Sequence, residues 1–150
     1  MLPLGLAESV LGGFEVETKL RIGAEHLIML FTQNRLIMAH STKIGRESMS
    51  LSNLLGGVAR GIGAFSQKTM GLEKMAGMPP ESILALHKDN FAVGYDHVVS
   101  MIVDVGDLQE ADITLVTSDL KAVMSASLTA VRGVREIVES LLGSKVTFRV

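Results

Sequence analysis

Histidines and carboxylates are the side chains here that most readily do chemistry. His26, His40, His87 and His97 are the chain's four histidines, and no two stand at His-x-x-x-His or a similar ligand spacing. Each is flanked by apolar or strand-forming residues, so they read as structural or surface histidines. Asp104, Asp107, Glu110 and Asp112 gather carboxylates in one stretch but miss the calcium-loop pattern. A charged hairpin tip accounts for them. Asp96 and His97 are adjacent, and adjacent strand residues point to opposite faces, which bars a relay between them. Gly-x-Ser-x-Gly is absent and there is no Cys, so neither a nucleophile elbow nor a thiolate is available. The run from Gly56 to Gly63 resembles a phosphate loop only in its glycines. It lacks the Gly-Lys-Ser/Thr ending and does not directly follow a strand. These residues predict a protein that is not an enzyme and holds no cofactor or metal.

The chain that positions them has 150 residues, the size of one domain, with 47 % apolar and 20 % charged residues. That balance supports a globular core. With one Tyr, five Phe and no Trp, the core must be built from Leu, Ile, Val and nine Met. Scarce aromatics argue against stacking on nucleic-acid bases, and a net charge of −2 gives no general attraction to phosphate. No nucleic-acid partner is expected. The first basic residue is Lys19, well past the apolar start, so no secretory signal is read. The absence of Cys and of any uninterrupted apolar stretch of about 20 residues places the expectation in the cytoplasm.

Most of the chain carries strand patterning. Phe14, Val16, Leu20 and Ile22 alternate with Glu15, Glu17, Lys19 and Arg21, which predicts a strand with one wet face. Gly23-Ala24-Glu25 reads as a turn. His26–Thr32 and Arg35–His40 flank Gln33-Asn34 as a hairpin, since Asn tolerates positive φ. Further strands are predicted at Ser82–His87, Phe91–Tyr95, Val98–Val105, Ala111–Thr117 and Lys121–Met124, separated by Lys88-Asp89-Asn90, Gly106-Asp107 and Ser118-Asp119 turns. Leu128, Val131, Val134, Ile137, Val138, Leu141 and Leu142 form one amphipathic helical stripe, with Arg132–Glu136 and Arg135–Glu139 as i,i+4 pairs and Gly143 as its cap. Lys145–Val150 alternates again, as a last strand pairing with the Phe14 strand or with a neighbouring subunit.

The segment from Ser48 to Pro80 interrupts this pattern. Leu51, Leu54, Leu55, Val58, Ile62 and Phe65 recur at helical spacing, and Gly57, Gly61 and Ala64 collect on another face. Each glycine costs a helix roughly 1 kcal/mol relative to Ala, so retaining them implies close backbone contact in return. Met70, Met75 and Met78 follow, before Pro79-Pro80 ends the helix.

Leu30-Phe31-Thr32-Gln33-Asn34-Arg35-Leu36-Ile37 resembles the hairpin of the pleckstrin-homology-like (PH-like) superfold, including its GRAM and bacterial or archaeal groups. Ile83-Leu84 and Asp89 through Val98 are similar to that family's strand–turn–strand into the second sheet. The resemblance implies a mainly β, α+β domain over residues 1–150. It would be a bent barrel of seven or eight strands capped by a C-terminal amphipathic helix, with residues 48–80 as a helical insertion. The alternative is a profilin- or roadblock-like sheet in which Ser50–Gln67 is a core helix. PH-like modules often bind phosphoinositides through basic residues around the first hairpin. Lys19, Arg21, Lys43 and Arg46 are the corresponding candidates here, while Leu27–Leu30 carries no basic residue where lipid-binding members place theirs.

The expected function is therefore an interaction or assembly module. It binds a protein partner or a second copy through Leu51–Met78, with Leu54, Gly57, Val58, Gly61, Ala64 and Phe65 as the contact surface. The alternative is peripheral membrane contact, with Lys19, Arg21, Lys43, Arg46, Arg60 and Lys68 facing anionic lipid.

Overall fold

Phe14 and Val16 are buried while Glu15 and Glu17 between and beside them are partly exposed, as a strand with one wet face must be. The computed structural model describes residues 7–19, 24–40 and 72–150. Its strands are β1 (Val10–Lys19), β2 (Ala24–Thr32), β3 (Arg35–His40), β4 (Phe91–Gly94), β5 (Val98–Val105), β6 (Glu110–Thr117), β7 (Lys121–Ser127) and β8 (Val146–Arg149). They form one eight-stranded sheet in the order β4-β3-β2-β1-β7-β6-β5-β8. Every neighbouring pair is antiparallel except β5 and β8, which run parallel. The protein is thus mainly β with a few short helices. No helix among the described residues is long and apolar enough to cross a membrane.

Both faces of the sheet are covered at β2 and β3, which explains their unbroken apolar runs. On one face Phe14, Met29, Phe31, Leu36, Met101, Ile113, Leu115 and Met124 pack against two C-terminal helices. On the other, Ile28, Leu30, Ile37 and Ala39 meet Met75 and Ile83. Met75 belongs to helical residues 72–76, and Ile83 to α1 (Pro80–Ala85). The described end of the Leu51–Met78 segment, with Leu72 and Met78 also against this cluster, is therefore packed on its own sheet.

Several expectations are corrected. Ser82–His87 is not a strand, because Pro80 opens a helix at a position where its missing N–H and fixed φ are harmless. Pro80, Ile83 and Leu84 then fall on one helical face, the first two buried. Ala24 and Glu25 begin β2 rather than forming a turn, and Lys19 pairs with Ala24 across the hairpin. The C-terminal stripe is two helices, α2 (Leu128–Gly133) and α3 (Arg135–Leu142), divided at Val134, whose φ of −113° and ψ of 8° leave the helical range. Arg135–Glu139 forms at 3.2 Å within α3, whereas Arg132 and Glu136 lie on different helices. Gly143 ends α3 at φ +58°, a conformation that favours glycine. The last strand pairs with β5, not β1, and Arg135 lies 4.9 Å over the Phe148 ring to tie α3 to it.

The β2–β3 turn is anchored by a charged cluster. Arg35 grips Glu8 through two contacts of 3.0 Å and reaches Glu81 at 2.7 Å, joining the N-terminal segment to α1. The Thr32 hydroxyl donates to Glu8 Oε2, with the Arg35 carbonyl 3.0 Å away, and accepts from the Asn34 and Arg35 amides, and the Tyr95 hydroxyl donates to the Thr32 carbonyl at 2.6 Å. Burial holds the Tyr95 phenol far above its usual range, so it stays a donor. Burial alone would raise the Glu8 carboxyl, but hydrogen bonds from Arg35 and Thr32 outweigh it and hold the group below the usual carboxylate range. A carboxyl depressed on folding contributes stability above its unfolded pKa and loses it as pH falls through the folded value. Glu8→Gln is accordingly expected to destabilise by about 2 kcal/mol at pH 7. That deficit should shrink as pH falls below 4.5. Urea titrations of both proteins across that range check it, and a deficit independent of pH would contradict it.

Candidate metal centre

At the end of the sheet where β2 begins and β3 ends, the turn leading from α1 into β4 folds back onto β3. Asn90 does the joining. Its Nδ2 donates to the Ile83 carbonyl at 2.9 Å, and its Oδ1 accepts the His40 amide at 2.8 Å. The carboxamide orientation is fixed by these two bonds, one using it as donor and one as acceptor. The same Oδ1 lies 3.0 Å from His40 Nδ1, so that ring nitrogen must carry a proton and donate.

His40 Nε2 then faces Glu25 Oε2 at 3.1 Å. A neutral imidazole protonated at Nδ1 presents a lone pair at Nε2, and a carboxylate oxygen presents only lone pairs. Glu25 is the hydrogen-bonding or ion-pairing partner of that nitrogen. The His40 side chain is 12 % exposed and that of Glu25 41 %, so solvent reaches the contact from the carboxylate side.

His87 stacks on His40 with ring centroids 4.5 Å apart and planes 18° from parallel. Its Nδ1 accepts the Asp89 amide at 3.0 Å in an exposed bond. The ligand atoms of His40, His87 and Asp89 all lie within 4.8 Å of one another. Two imidazoles and a carboxylate, with the Glu25 carboxylate beside them, are a donor set of the zinc type. Asn90 supplies the outer hydrogen bond that orients a ligating histidine. Spacing along the chain carries no trace of this cluster. The one signal available was Pro79-Pro80-Glu81, which marks a helix start and so turns the following segment back toward β3.

A cleft of about 340 Å³ lies along β4, lined by Phe91–Gly94, His97 and Thr117–Leu120. Its far wall is the β6–β7 turn, held by the Ser118 amide donating to the His97 carbonyl at 3.0 Å. Among the described strands β4 ends the sheet, so one edge of its backbone has no strand partner there.

Of the residues singled out from sequence, Leu54, Gly57, Val58, Gly61, Ala64, Phe65, Arg21, Lys43, Arg46, Arg60, Lys68 and Met70 lie outside the described residues. Lys19 closes β1. His26 and His97 are apart from the cluster. His26 sits 3.1 Å from Glu17, and His97 borders the β4 cleft. Asp104, Asp107, Glu110 and Asp112 do surround the β5–β6 hairpin, where Arg149 meets Asp104 at 3.4 Å.

No protein-family model matches this sequence, and no curated protein matches it. Among solved structures, the C-terminal domain of an unknown protein from Leishmania infantum is similar over 90 % of this chain and 84 % of its own, with 10 % sequence identity and a TM-score of 0.48.

Proposed function

We propose that this chain is a non-enzymatic, PH-like interaction module that self-associates. The observation that carries the reading is the β4 edge, which runs beside the cleft with one side of its backbone unpaired among the described strands. An extended segment laid there would gain main-chain hydrogen bonds and seat side chains in the cleft. The antiparallel order β4-β3-β2-β1-β7-β6-β5, with C-terminal helices on one face, supports the PH-like reading, and β8 departs from it by adding in parallel beside β5. A second copy is the occupant we favour. Phe91 and Leu120, 37 % and 36 % exposed, put apolar area on the cleft walls, while His97 and Asp119 add polar groups that can hydrogen-bond across a pair. A two-fold pair would match each of these with its complement. A mean hydropathy of +0.37 is in keeping with apolar surface hidden in an assembly.

Light scattering at high micromolar concentration tests this. The wild type is expected as a dimer and Leu120→Lys as a monomer. Gly61→Leu separates the two candidate surfaces: loss of the dimer in that variant, with retention in Leu120→Lys, would move the contact to Leu51–Met78. A monomeric wild type would refute self-association.

A further inference from the structure

The cluster at the end of β3 has chemistry that a protein-docking role does not use. We infer that His40, His87 and Asp89 bind a divalent transition-metal ion of the zinc class, with Glu25 as an adjoining carboxylate. Three observations converge on it. The three ligand atoms already lie within 4.8 Å of one another, and a tetrahedral shell would draw them closer still. Asn90 Oδ1 engages His40 Nδ1 at 3.0 Å, which leaves Nε2, 3.1 Å from Glu25 Oε2, as the nitrogen for an ion. Two imidazoles and an aspartate are a donor set that zinc-class ions take.

The rearrangement required is small and local. The stacked imidazoles tilt apart so that both lone pairs meet one ion, because parallel rings cannot share one in both planes. His87 Nδ1 exchanges the exposed Asp89 amide bond for the metal, and water can satisfy that amide. Imidazole ligands distinguish the site from a calcium or magnesium cage, which takes oxygen donors. Once bound, the ion would join the end of β3 to the turn before β4, closing the long connection between them as a staple.

Purified, untagged protein is stripped with chelator, dialysed against Zn²⁺, and its bound metal counted. Co²⁺ substitution and histidine ¹⁵N chemical shifts then report geometry and ligand atoms. We expect one ion per chain, a tetrahedral Co²⁺ spectrum, and a metal-dependent shift at His40 Nε2 but not at Nδ1. His87→Asn and Asp89→Asn should each weaken binding by about tenfold or more, as loss of a ligand does. Asp89 is exposed, so that variant should fold whether or not the site exists, and Zn²⁺ should raise the melting temperature of the wild type more than that of Asp89→Asn. Absence of stoichiometric binding would overturn the assignment. So would binding that both variants leave unchanged, or a shift confined to His26 or His97.

Discussion

Ile83→Asp is expected to destabilise the protein by about 4 kcal/mol or more, measured as the change in unfolding free energy in urea or guanidinium. Ile83 is 0 % exposed and stands against Ile28, Leu30, Ile37 and Ala39 on the outer face of β2 and β3. An aspartate there would leave an unpaired carboxylate among aliphatic carbons, one of the few single changes with so large an effect. Burial on this face follows from the helical phase of α1, which turns Pro80, Ile83 and Leu84 inward and leaves Ser82 exposed. Ser82→Asp should therefore change stability by no more than about 0.5 kcal/mol. Comparable losses in the two variants would mean that Pro80–Ala85 does not dock as a helix. The Ile83 carbonyl also holds Asn90, so a shifted α1 would release the residue that orients His40.

Gly13→Ala should cost about 3 kcal/mol, for a different reason. A Cβ at this position would lie 2.6 Å from the Met29 carbonyl oxygen and 2.8 Å from Leu30 Cδ2. The first of these is backbone in the β1–β2 ladder, where Gly13 pairs with Leu30 and Phe14 with Met29, so it cannot swing aside. Relief requires separating two central strands whose neighbours are fully buried, which is overpacking of the core. Gly133 is the contrast: nothing lies within 4 Å of its added Cβ, and its φ is not positive. Gly133→Ala in α2 should be neutral or stabilise by about 0.5 kcal/mol. Thermal melts of the two variants check both signs, and a well-tolerated Gly13→Ala would show that β1 and β2 do not approach so closely.

Gly12 and Gly13 also show where sequence patterning loses sight of the fold. The alternation from Phe14 onward revealed the second half of β1, but two glycines read as the end of a strand. They are retained for contact: Gly12 admits Val134 and Ile137 of the C-terminal helices, and Gly13 admits β2. Val98–Val105 was legible to the residue because Gly106-Asp107 closes it with turn chemistry and its buried positions alternate along most of its length. The Gln33-Asn34 reversal was legible from the two apolar runs flanking a polar pair, although Asn34 does not take the positive φ that the reading expected of it. Ser82–His87 misled because a short apolar run has no period long enough to separate helix from strand, and only Pro80 arbitrated. The break at Val134 was hidden by a stripe whose apolar spacing continues across it. The partner of β8 was not legible either, since a parallel crossover leaves no local mark in the strand that completes it. His40 and His87 met only through tertiary folding of the segment that Asn90 anchors, and no spacing rule reaches that far.

Double-sided burial of β2 and β3 carries a consequence for how the chain is made. Leu27–Phe31 and Leu36–Ala39 have no wet face, so a half-assembled sheet offers two adhesive sides, not one. The cover for one side comes from Met75 and Ile83, and for the other from Leu128 through Leu142, the latter synthesised long after the hairpin. During that interval the newborn hairpin resembles the segments from which fibrils grow, and the yield of native protein becomes a contest between docking and coalescence.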